Sequence, residues 1–180
     1  MPHPIDTEAI LETDRLVLEP LREMHAALLF PLVSDQAMYR FIPQQPPSEL
    51  AALAARYRRL ERRSPPEGDE VWLNWALQRI DAGAYIGTLQ ATVTPDSHAS
   101  VGYVLTPSAW GQGFATESCR WPLATLQKRF VLNEILASVD VRNLPSLRVL
   151  ERLGFNCIGT EAAEIRGEAT TDFRYRLGCG

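Results

Sequence analysis

The spacing of hydrophobic and polar positions changes near residue 105 of the chain. Before that point, Leu16–Leu18 predicts a short strand, and the apolar residues of 22–33 and 50–60 recur at helical spacing. Three segments with the pattern of extended chain follow, at 71–80, 85–93 and 99–105, with turn-forming residues between them. We therefore expect two helices followed by an antiparallel meander.

After residue 105 helices and strands alternate. Helical spacing covers 113–130 and 144–153, and strand patterns cover 135–139, 155–160 and 173–177. A strand, helix and strand in succession predict one parallel crossover. The pattern predicts an α+β fold with a mixed, mostly antiparallel sheet of about seven strands flanked by helices.

The sequence also predicts details of the first two helices and the places of the histidines. The first helix brings Met24, Ala27, Leu28 and Leu32 to helical spacing, and Ser48 is placed to cap the second helix. The three histidines of the chain do not cluster in the sequence. We expect His25 to face outward from the first helix, His98 to lie beside a turn, and His3 to lie in a mobile terminus.

Composition narrows the classes of protein that are compatible with this pattern. The length of 180 residues and the 46% apolar content predict one domain over 1–180, with 1–13 as a mobile N-terminal extension. The net charge of -4 argues against a nucleic-acid partner. Three unclustered cysteines argue against zinc or disulfides and favour a reducing cytoplasm. The sequence shows neither a leader pattern nor a long apolar run, so we expect no membrane partner.

The segment 107–117 joins the last strand of the meander to a helix. Gly111 and Gly113 allow successive backbone N–H groups to turn toward one point, and the N-terminus of the helix adds unpaired N–H groups. The segment lacks the Gly-Lys-Ser/Thr ending of a triphosphate loop. It therefore predicts a site for a diphosphate ester, bound mainly by backbone.

Dinucleotides and coenzyme A both contain a diphosphate. Gly111, Gly113 and Asp140 fit part of the dinucleotide fingerprint, but Thr116 replaces its third glycine. A meander also precedes the loop where a doubly wound sheet would begin. Coenzyme A is therefore favoured, and a dinucleotide-dependent oxidoreductase remains the rival enzyme class.

Several short motifs also occur in a characteristic order: Gly102–Leu105, Trp110–Glu117, Asn143–Ser146 and Leu153–Phe155. Together they resemble the GNAT superfamily of N-acetyltransferases, and they look closest to its ribosomal-protein N-terminal acetyltransferase branch. The resemblance implies acetyl-CoA as cosubstrate, an amine as acceptor and no metal. The resemblance extends over most of the chain.

The resemblance also implies which residues bind acetyl-CoA. The pantetheine arm would pair with the strand that ends at Val104, Leu105 and Thr106, and Asn143 and Ser146 would contact the cofactor from a helix. The diphosphate would lie on the loop residues, which are Trp110, Gly111, Gln112, Gly113, Phe114, Ala115 and Thr116. Asn143 is also predicted to cap that helix.

Two positions depart from the family pattern. Trp110 replaces the usual Arg or Gln of the loop, so that backbone must carry more of the phosphate binding. Leu150 replaces the tyrosine that often protonates the departing thiolate, which leaves Ser146 as the candidate general acid, or water. Glu117 is a second catalytic candidate, although a carboxylate in the first helical turn is favoured by the helix dipole alone.

The acceptor is less well defined by the sequence. A peptide α-amine with a pKa of about 8 is partly neutral at pH 7, whereas a lysine with a pKa of about 10 is not, so an α-amine needs a weaker base. This favours the α-amine of a protein N-terminus or of a small molecule. A GNAT-like module that binds coenzyme A without catalysis is the alternative, and a homodimer stays open.

Overall fold

The computed structural model describes residues 7–179. The strands are β1 (Leu11–Glu12), β2 (Leu16–Pro20), β3 (Val71–Arg79), β4 (Tyr85–Val93), β5 (His98–Leu105), β6 (Glu134–Asp140), β7 (Asn156–Ile165) and β8 (Glu168–Gly178). The helices are α1 (His25–Val33), α2 (Leu50–Leu60), α3 (Phe114–Arg129) and α4 (Leu144–Arg152), with short 3-10 turns at Gln36–Tyr39 and Pro107–Ala109.

The eight strands form one sheet in the order β1-β2-β3-β4-β5-β6-β8-β7. All pairs are antiparallel except β5 with β6, which are parallel and are joined through α3. The predicted α+β fold, meander and single parallel crossover are confirmed, with one more strand than expected. No helix between residues 7 and 179 has the length and apolar character needed to span a bilayer.

The additional strand comes from the segment that was expected to be mobile. Leu11 pairs with Leu18 in β2 and is buried, and Arg63 Nε donates a hydrogen bond to Glu8 Oε1 at 3.0 Å. Residues 8–13 of the predicted extension thus lie against the rest of the domain, because Leu11 adds apolar area to the core and the ion pair joins Glu8 to Arg63. Residues 1–6 lie outside the described part.

The apolar residues that recur at helical spacing in the sequence do not mark the buried face of α1. Ala26, Leu29 and Val33 are buried, whereas Met24 and Leu28 are 66% and 47% exposed. The sequence from Ala26 to Val33 is apolar at every position, so its periodicity does not identify one face. At α2 the N-cap residue is Glu49 in place of the predicted Ser48, without a side-chain cap bond.

His25 is buried instead of facing outward. Its Nδ1 accepts the Arg22 N–H at 2.9 Å, so its Nε2 carries the proton that is directed to Glu19 Oε2, 2.9 Å away. Both ring nitrogens are thus satisfied, which offsets the cost of burial. His98 is partly buried beside Asp96, as expected near a turn. His3 lies outside the described residues.

The sheet separates two hydrophobic cores. One core packs α3 and α4 against the sheet and includes Tyr103, and the other packs α1 and α2 and includes Val104. Neighbouring residues of β5 therefore face opposite sides, as the alternation of side chains along a strand requires. A ligand that reaches β5 can be contacted from both sides of the sheet.

Candidate active site

The two parallel strands at the centre of the sheet diverge. Their ladder covers His98–Ser100 on β5 and Glu134–Leu136 on β6, although β5 continues to Leu105 and β6 to Asp140. Along the same stretch β5 stays paired with β4 up to Leu105. The divergence leaves a cleft between β5 and β6, with one edge of β5 free to bind an extended ligand.

The hydrogen-bond register identifies the backbone groups that face this cleft. The Thr106 N–H donates to Ile86 O at 2.8 Å, and the Thr94 N–H donates to His98 O at 2.9 Å. In an antiparallel pair alternate residues point their backbone groups to the same neighbour, so even-numbered residues of β5 face β4. Tyr103 and Leu105 consequently direct their backbone groups into the cleft.

The hydrogen-bond register of β5 distinguishes among the three residues that were predicted to contact the cofactor at the end of this strand. The backbone groups of Val104 and Thr106 are directed at β4, and the side chain of Val104 faces the α1 and α2 side. Leu105 is the predicted residue whose backbone faces the cleft, and its carbonyl accepts the Trp110 indole N–H at 2.8 Å. Sequence reasoning missed Tyr103, since a strand pattern alone does not show which neighbour each N–H faces.

Gly87 permits β4 to lie close to the end of β5. It adopts φ +147°, and a Cβ at this position would lie 2.1 Å from Val104 O. It sits beside an irregularity in the β3 and β4 register, after Leu77. Only glycine combines this backbone conformation with this close approach.

The loop before α3 has the geometry of an anion cradle. Gly111 and Gly113 adopt φ +71° and +83°, and the first bond of the helical ladder is donated by the Glu117 N–H to Gly113 O at 3.0 Å. The N–H groups of the preceding residues, through Thr116, have no partner within the helix and carry the positive end of its dipole. Such a site suits a phosphate or diphosphate.

The side chain of Arg15 contacts this loop through hydrogen bonds and an aromatic ring. Its Nη1 donates to Gln112 O at 3.0 Å, its Nε donates to Glu117 Oε2 at 2.7 Å, and its guanidinium lies 4.4 Å from the centre of the Phe114 ring. Burial alone would raise the pKa of Glu117, but hydrogen bonds from Thr13 and Arg15 lower it below its usual value. Arg15 lies 102 residues before Glu117, so no local spacing could reveal the pair.

Ser146 lies at the start of α4. Asn143 Oδ1 accepts the Ser146 N–H at 3.3 Å, which confirms the predicted cap. The Tyr103 hydroxyl donates to Ser146 Oγ at 3.1 Å, from β5 to α4. Burial raises the pKa of Tyr103 to about 12, so the phenol keeps its proton at neutral pH. Leu150, where the family often has a tyrosine, is buried in the core.

A cavity of about 140 Å³ lies on the opposite face of the sheet, under α1 and α2. Asn74, Gln90 and Gly102 are neighbours across three strands and contribute a polar row to its wall. The remaining lining residues are Leu21, Val33, Tyr39, Ile42, Gln44, Leu53, Arg56, Tyr57, Leu60, Thr88, Leu89, Tyr103 and Val104. The functional groups of the wall are thus amides, hydroxyls and a guanidinium.

Two acidic residues near the first strands are engaged elsewhere. Glu19 accepts hydrogen bonds from His25 and Tyr85, and Glu70 accepts the Trp72 indole N–H at 2.9 Å. Neither residue lines the cavity. Among residues 7–179, no group of three or more histidine, cysteine or acidic side chains is arranged to hold a metal ion.

The sheet topology and the glycine loop before α3 are those of an acetyltransferase of the GNAT class. Residues 15–156 match the family model described as an acetyltransferase (GNAT) domain, which covers well over half of the chain. The chain belongs to this family, and the resemblance inferred from the motifs is confirmed. The family assignment also excludes the rival enzyme class, the dinucleotide-dependent oxidoreductase.

The relatives are consistent with this assignment. The uncharacterised N-acetyltransferase YoaA of Bacillus subtilis (strain 168) is 29% identical over 155 residues, 81% of this chain and 82% of that protein. The ribosomal L7/L12 α-N-protein acetyltransferase RimL, solved in complex with coenzyme A, superposes with a TM-score of 0.82 at 18% identity, covering 94% and 98% of the two chains. The ribosomal-protein-S5-alanine acetyltransferase of Vibrio fischeri gives 0.80 at 17% identity, covering 94% and 96%.

Proposed function

We propose that this acetyltransferase moves the acetyl group of acetyl-CoA directly to an α-amine of a protein N-terminus or small molecule. The observation that carries the proposal is the position of the cleft. Its β5 edge offers backbone from Tyr103 and Leu105, it ends at the loop of Gly111 and Gly113, and Ser146 lies across it. One extended thioester with a diphosphate at its far end suits all of these features.

The cofactor arm is proposed to lie along β5. The N–H and C=O groups of Tyr103 and Leu105 suit the amides of pantetheine, and the N–H groups from Gly113 to Thr116 suit the diphosphate. RimL, which shares this fold, binds coenzyme A, in support of this assignment. Trp110 is half-exposed beside the loop and holds the Leu105 carbonyl, so its part is to fix the strand end and to offer an apolar surface.

The reaction is proposed to proceed by direct attack. The amine nitrogen forms a bond to the thioester carbonyl carbon, the carbon–sulfur bond breaks, and one proton passes from nitrogen to sulfur. An N–H of β5 that faces the cleft polarises the carbonyl oxygen. Ser146 donates to the sulfur as it gains charge, and Tyr103 is a positioning residue, since its hydroxyl donates to Ser146 Oγ and leaves the serine proton to point elsewhere.

Glu117 is then a structural residue. Thr13 and Arg15 occupy its carboxylate, and their hydrogen bonds lower its pKa, so it has little tendency to accept a proton at neutral pH. Its place in the first turn of α3 also suits the helix dipole. We assign it to the support of the loop and not to acid–base catalysis.

The cavity under α1 and α2 is the proposed acceptor site. Asn74, Gln90 and Thr88 can bind a peptide backbone, whereas Arg56 repels a charged ammonium. An α-amine with a pKa of about 8 supplies a sizeable neutral fraction without a strong base, and lysine does not. The groups present therefore favour an α-amine over a lysine side chain.

Free cysteines at 119, 157 and 179 favour a reducing compartment, which we take to be the cytoplasm.

The test is release of free coenzyme A thiol from acetyl-CoA in the presence of a panel of short peptides with free N-termini, each paired with its N-acetylated form. We expect thiol release with some free peptides and none with their blocked partners. The alternative, a module that binds coenzyme A without catalysis, predicts acetyl-CoA binding with no thiol release above background for any amine. Acetylation of lysine in blocked peptides would instead contradict the α-amine assignment.

A further inference from the structure

We propose that a second cavity, beside the acceptor site, is a carboxylate-binding subsite that selects acceptors with an acidic group near the amine. The inference rests on the proposed function, since it concerns the acceptor of the same reaction. The cavity has a volume of about 230 Å³. Its lining residues are Arg40, Phe41, Arg142, Ile165, Arg166 and Glu168.

Three arginines and one glutamate, Glu168, are the charged residues that line this cavity. Arg142 is bound to Asp140, with Nε and Nη2 donating to Oδ1 and Oδ2 at 2.8 Å each. Among residues 7–179, neither Arg40 nor Arg166 lies within ion-pair distance of an acidic group. Two arginines thus retain their donors for a ligand, and a planar guanidinium is well suited to bind a carboxylate.

The three arginines are exposed, and two of them lie beside one aromatic ring. The guanidinium carbons of Arg40 and Arg142 lie 5.0 and 6.0 Å from the centre of the Phe41 ring, within the range of a cation–π contact. Arg166 occupies the first turn position of the β7 and β8 hairpin with φ +53°, next to Gly167 at φ +85°. Asparagine or glycine is favoured at such a position, so the arginine adopts its backbone conformation there at a conformational cost.

Residues that line this cavity are chain neighbours of residues in the proposed acceptor site and beside the cofactor cleft. Phe41 lines this cavity and its neighbour Ile42 lines the acceptor cavity. Arg142 follows β6, which forms one wall of the cleft, and precedes the Asn143 cap of the helix that carries Ser146. An acceptor whose amine enters the cleft would therefore pass the arginines with the groups that follow the amine.

Glu168 is the opposing charge in the cavity. The hydrogen bond to Asp140 is the main cause that raises the pKa of Arg142, and the charge of Glu168 raises it further. A ligand carboxylate must therefore bind against the repulsion of Glu168. Replacement of Glu168 by glutamine should accordingly strengthen acidic ligands, whereas loss of Arg40 or Arg166 should weaken them.

The test uses amidated hexapeptides with a free N-terminal serine and a single aspartate at position 2, 3 or 4, each compared with the asparagine peptide. A second set of short peptides carries only a free C-terminal carboxylate, to distinguish a side-chain from a terminal source. Binding is measured by calorimetry for the full chain and for Arg40→Gln, Arg166→Gln and Glu168→Gln. Arg129→Gln, at the exposed end of α3, is the matched control.

We expect one acidic peptide to bind about 10-fold more tightly than its asparagine partner, with the difference lost in Arg40→Gln and Arg166→Gln and kept in Arg129→Gln. Equal affinities throughout both peptide sets would overturn the proposal. So would weaker acetyl-CoA binding in the two variants, because the arginines would then serve the cofactor phosphates. Binding of the acidic peptide without thiol release would leave the subsite standing and reject the proposed reaction.

Discussion

The proposed cofactor side and the proposed acceptor side of this molecule offer different kinds of chemical group to a ligand. Along β5 and the loop before α3, the groups offered to a ligand are main-chain N–H and C=O, and glycines decide where they point. Under α1 and α2, the wall is made of side chains from segments far apart in the chain. A backbone site depends on strand register and tolerates changes of side chain, whereas a side-chain site changes with single substitutions.

This difference explains how one family can keep its cofactor and change its acceptor. Trp110 and Leu150 depart from the family pattern, yet the divergence of β5 from β6 and the positive φ of Gly111 and Gly113 are present. The acceptor side has no comparable backbone constraint. In our proposal, its specificity depends on side chains such as Arg56, Arg40 and Arg166.

The largest expected effect is on the backbone side, at Gly87. A Cβ there would meet Val104 O at 2.1 Å, so Gly87→Ala must move β5 away from β4. We expect a loss of about 3 kcal/mol in the free energy of unfolding and a melting temperature lower by roughly 10 °C. Gly83→Ala is the control, since Gly83 also has positive φ but no atom within 4 Å of the added Cβ. Equal losses in both variants would contradict the proposed close approach.

The next largest effect is on chemistry. Ser146→Ala should lower kcat about 100-fold while the KM for acetyl-CoA changes little, because the interaction is made mainly as the sulfur gains charge. Tyr103→Phe should lower kcat about 10-fold and alter its pH dependence, since the phenol acts through the serine. Ser34→Ala and Tyr175→Phe are the matched controls: the Ser34 hydroxyl donates to Phe30 O in α1, and Tyr175 lies on β8, which is not a strand of the cleft. Unchanged turnover in Ser146→Ala would assign the proton to water.

A smaller effect is expected from the support of the loop. Arg15→Met removes the side-chain hydrogen bonds to Gln112 O and Glu117 Oε2 and the guanidinium over Phe114, whereas the backbone N–H of residue 15 can still donate to Glu117 Oε1. We expect acetyl-CoA to bind about 10-fold more weakly, because the N–H groups of the loop lose their fixed orientation. Arg129→Met, in the last turn of α3, is the control and should bind acetyl-CoA as tightly as the unmodified chain. Calorimetric titration with acetyl-CoA compares the two.

The smallest expected effect is on the pH dependence of stability and concerns Asp140. Hydrogen bonds from Arg142, with a further one from Thr170, lower the pKa of Asp140 to about 2 despite burial. Since the folded pKa lies below the ordinary value of 3.8, ionised Asp140 stabilises the fold above pH 4, and this contribution is lost as pH falls toward 2. Asp140→Asn should therefore show a flatter loss of stability between pH 4 and 2. Asp81→Asn, an exposed ion-pair partner of Arg79, should leave the acid slope nearly unchanged.

Most of the sheet and the loop could be predicted from the sequence because both depend on local patterns. Alternation along β3, β4 and β5 and the glycines at 111 and 113 are visible within a few residues. The face of α1 was not predictable, since its sequence is apolar on every side. His25 was misplaced because its partner Glu19 belongs to the preceding strand, and burial of a histidine depends on such a partner.

The parts of the site that the sequence did not reveal depend on long-range contacts. Tyr103 and Ser146 are 43 residues apart, and Arg15 and Glu117 are 102 residues apart. No spacing rule for helices or strands connects such positions. The three arginines of the second cavity likewise come from three separate segments and meet only in the folded chain.

The most direct test of the central claim is amide hydrogen exchange of single residues of β5, with and without acetyl-CoA. We predict that saturating acetyl-CoA slows exchange at Tyr103 and Leu105 and at the loop amides from Gly113 to Thr116. Val104 serves as the internal control, because its N–H already faces β4 and should change far less. Binding of acetyl-CoA with no added protection at Tyr103 and Leu105, or with equal protection at Val104, would contradict a backbone site on the cleft edge of β5.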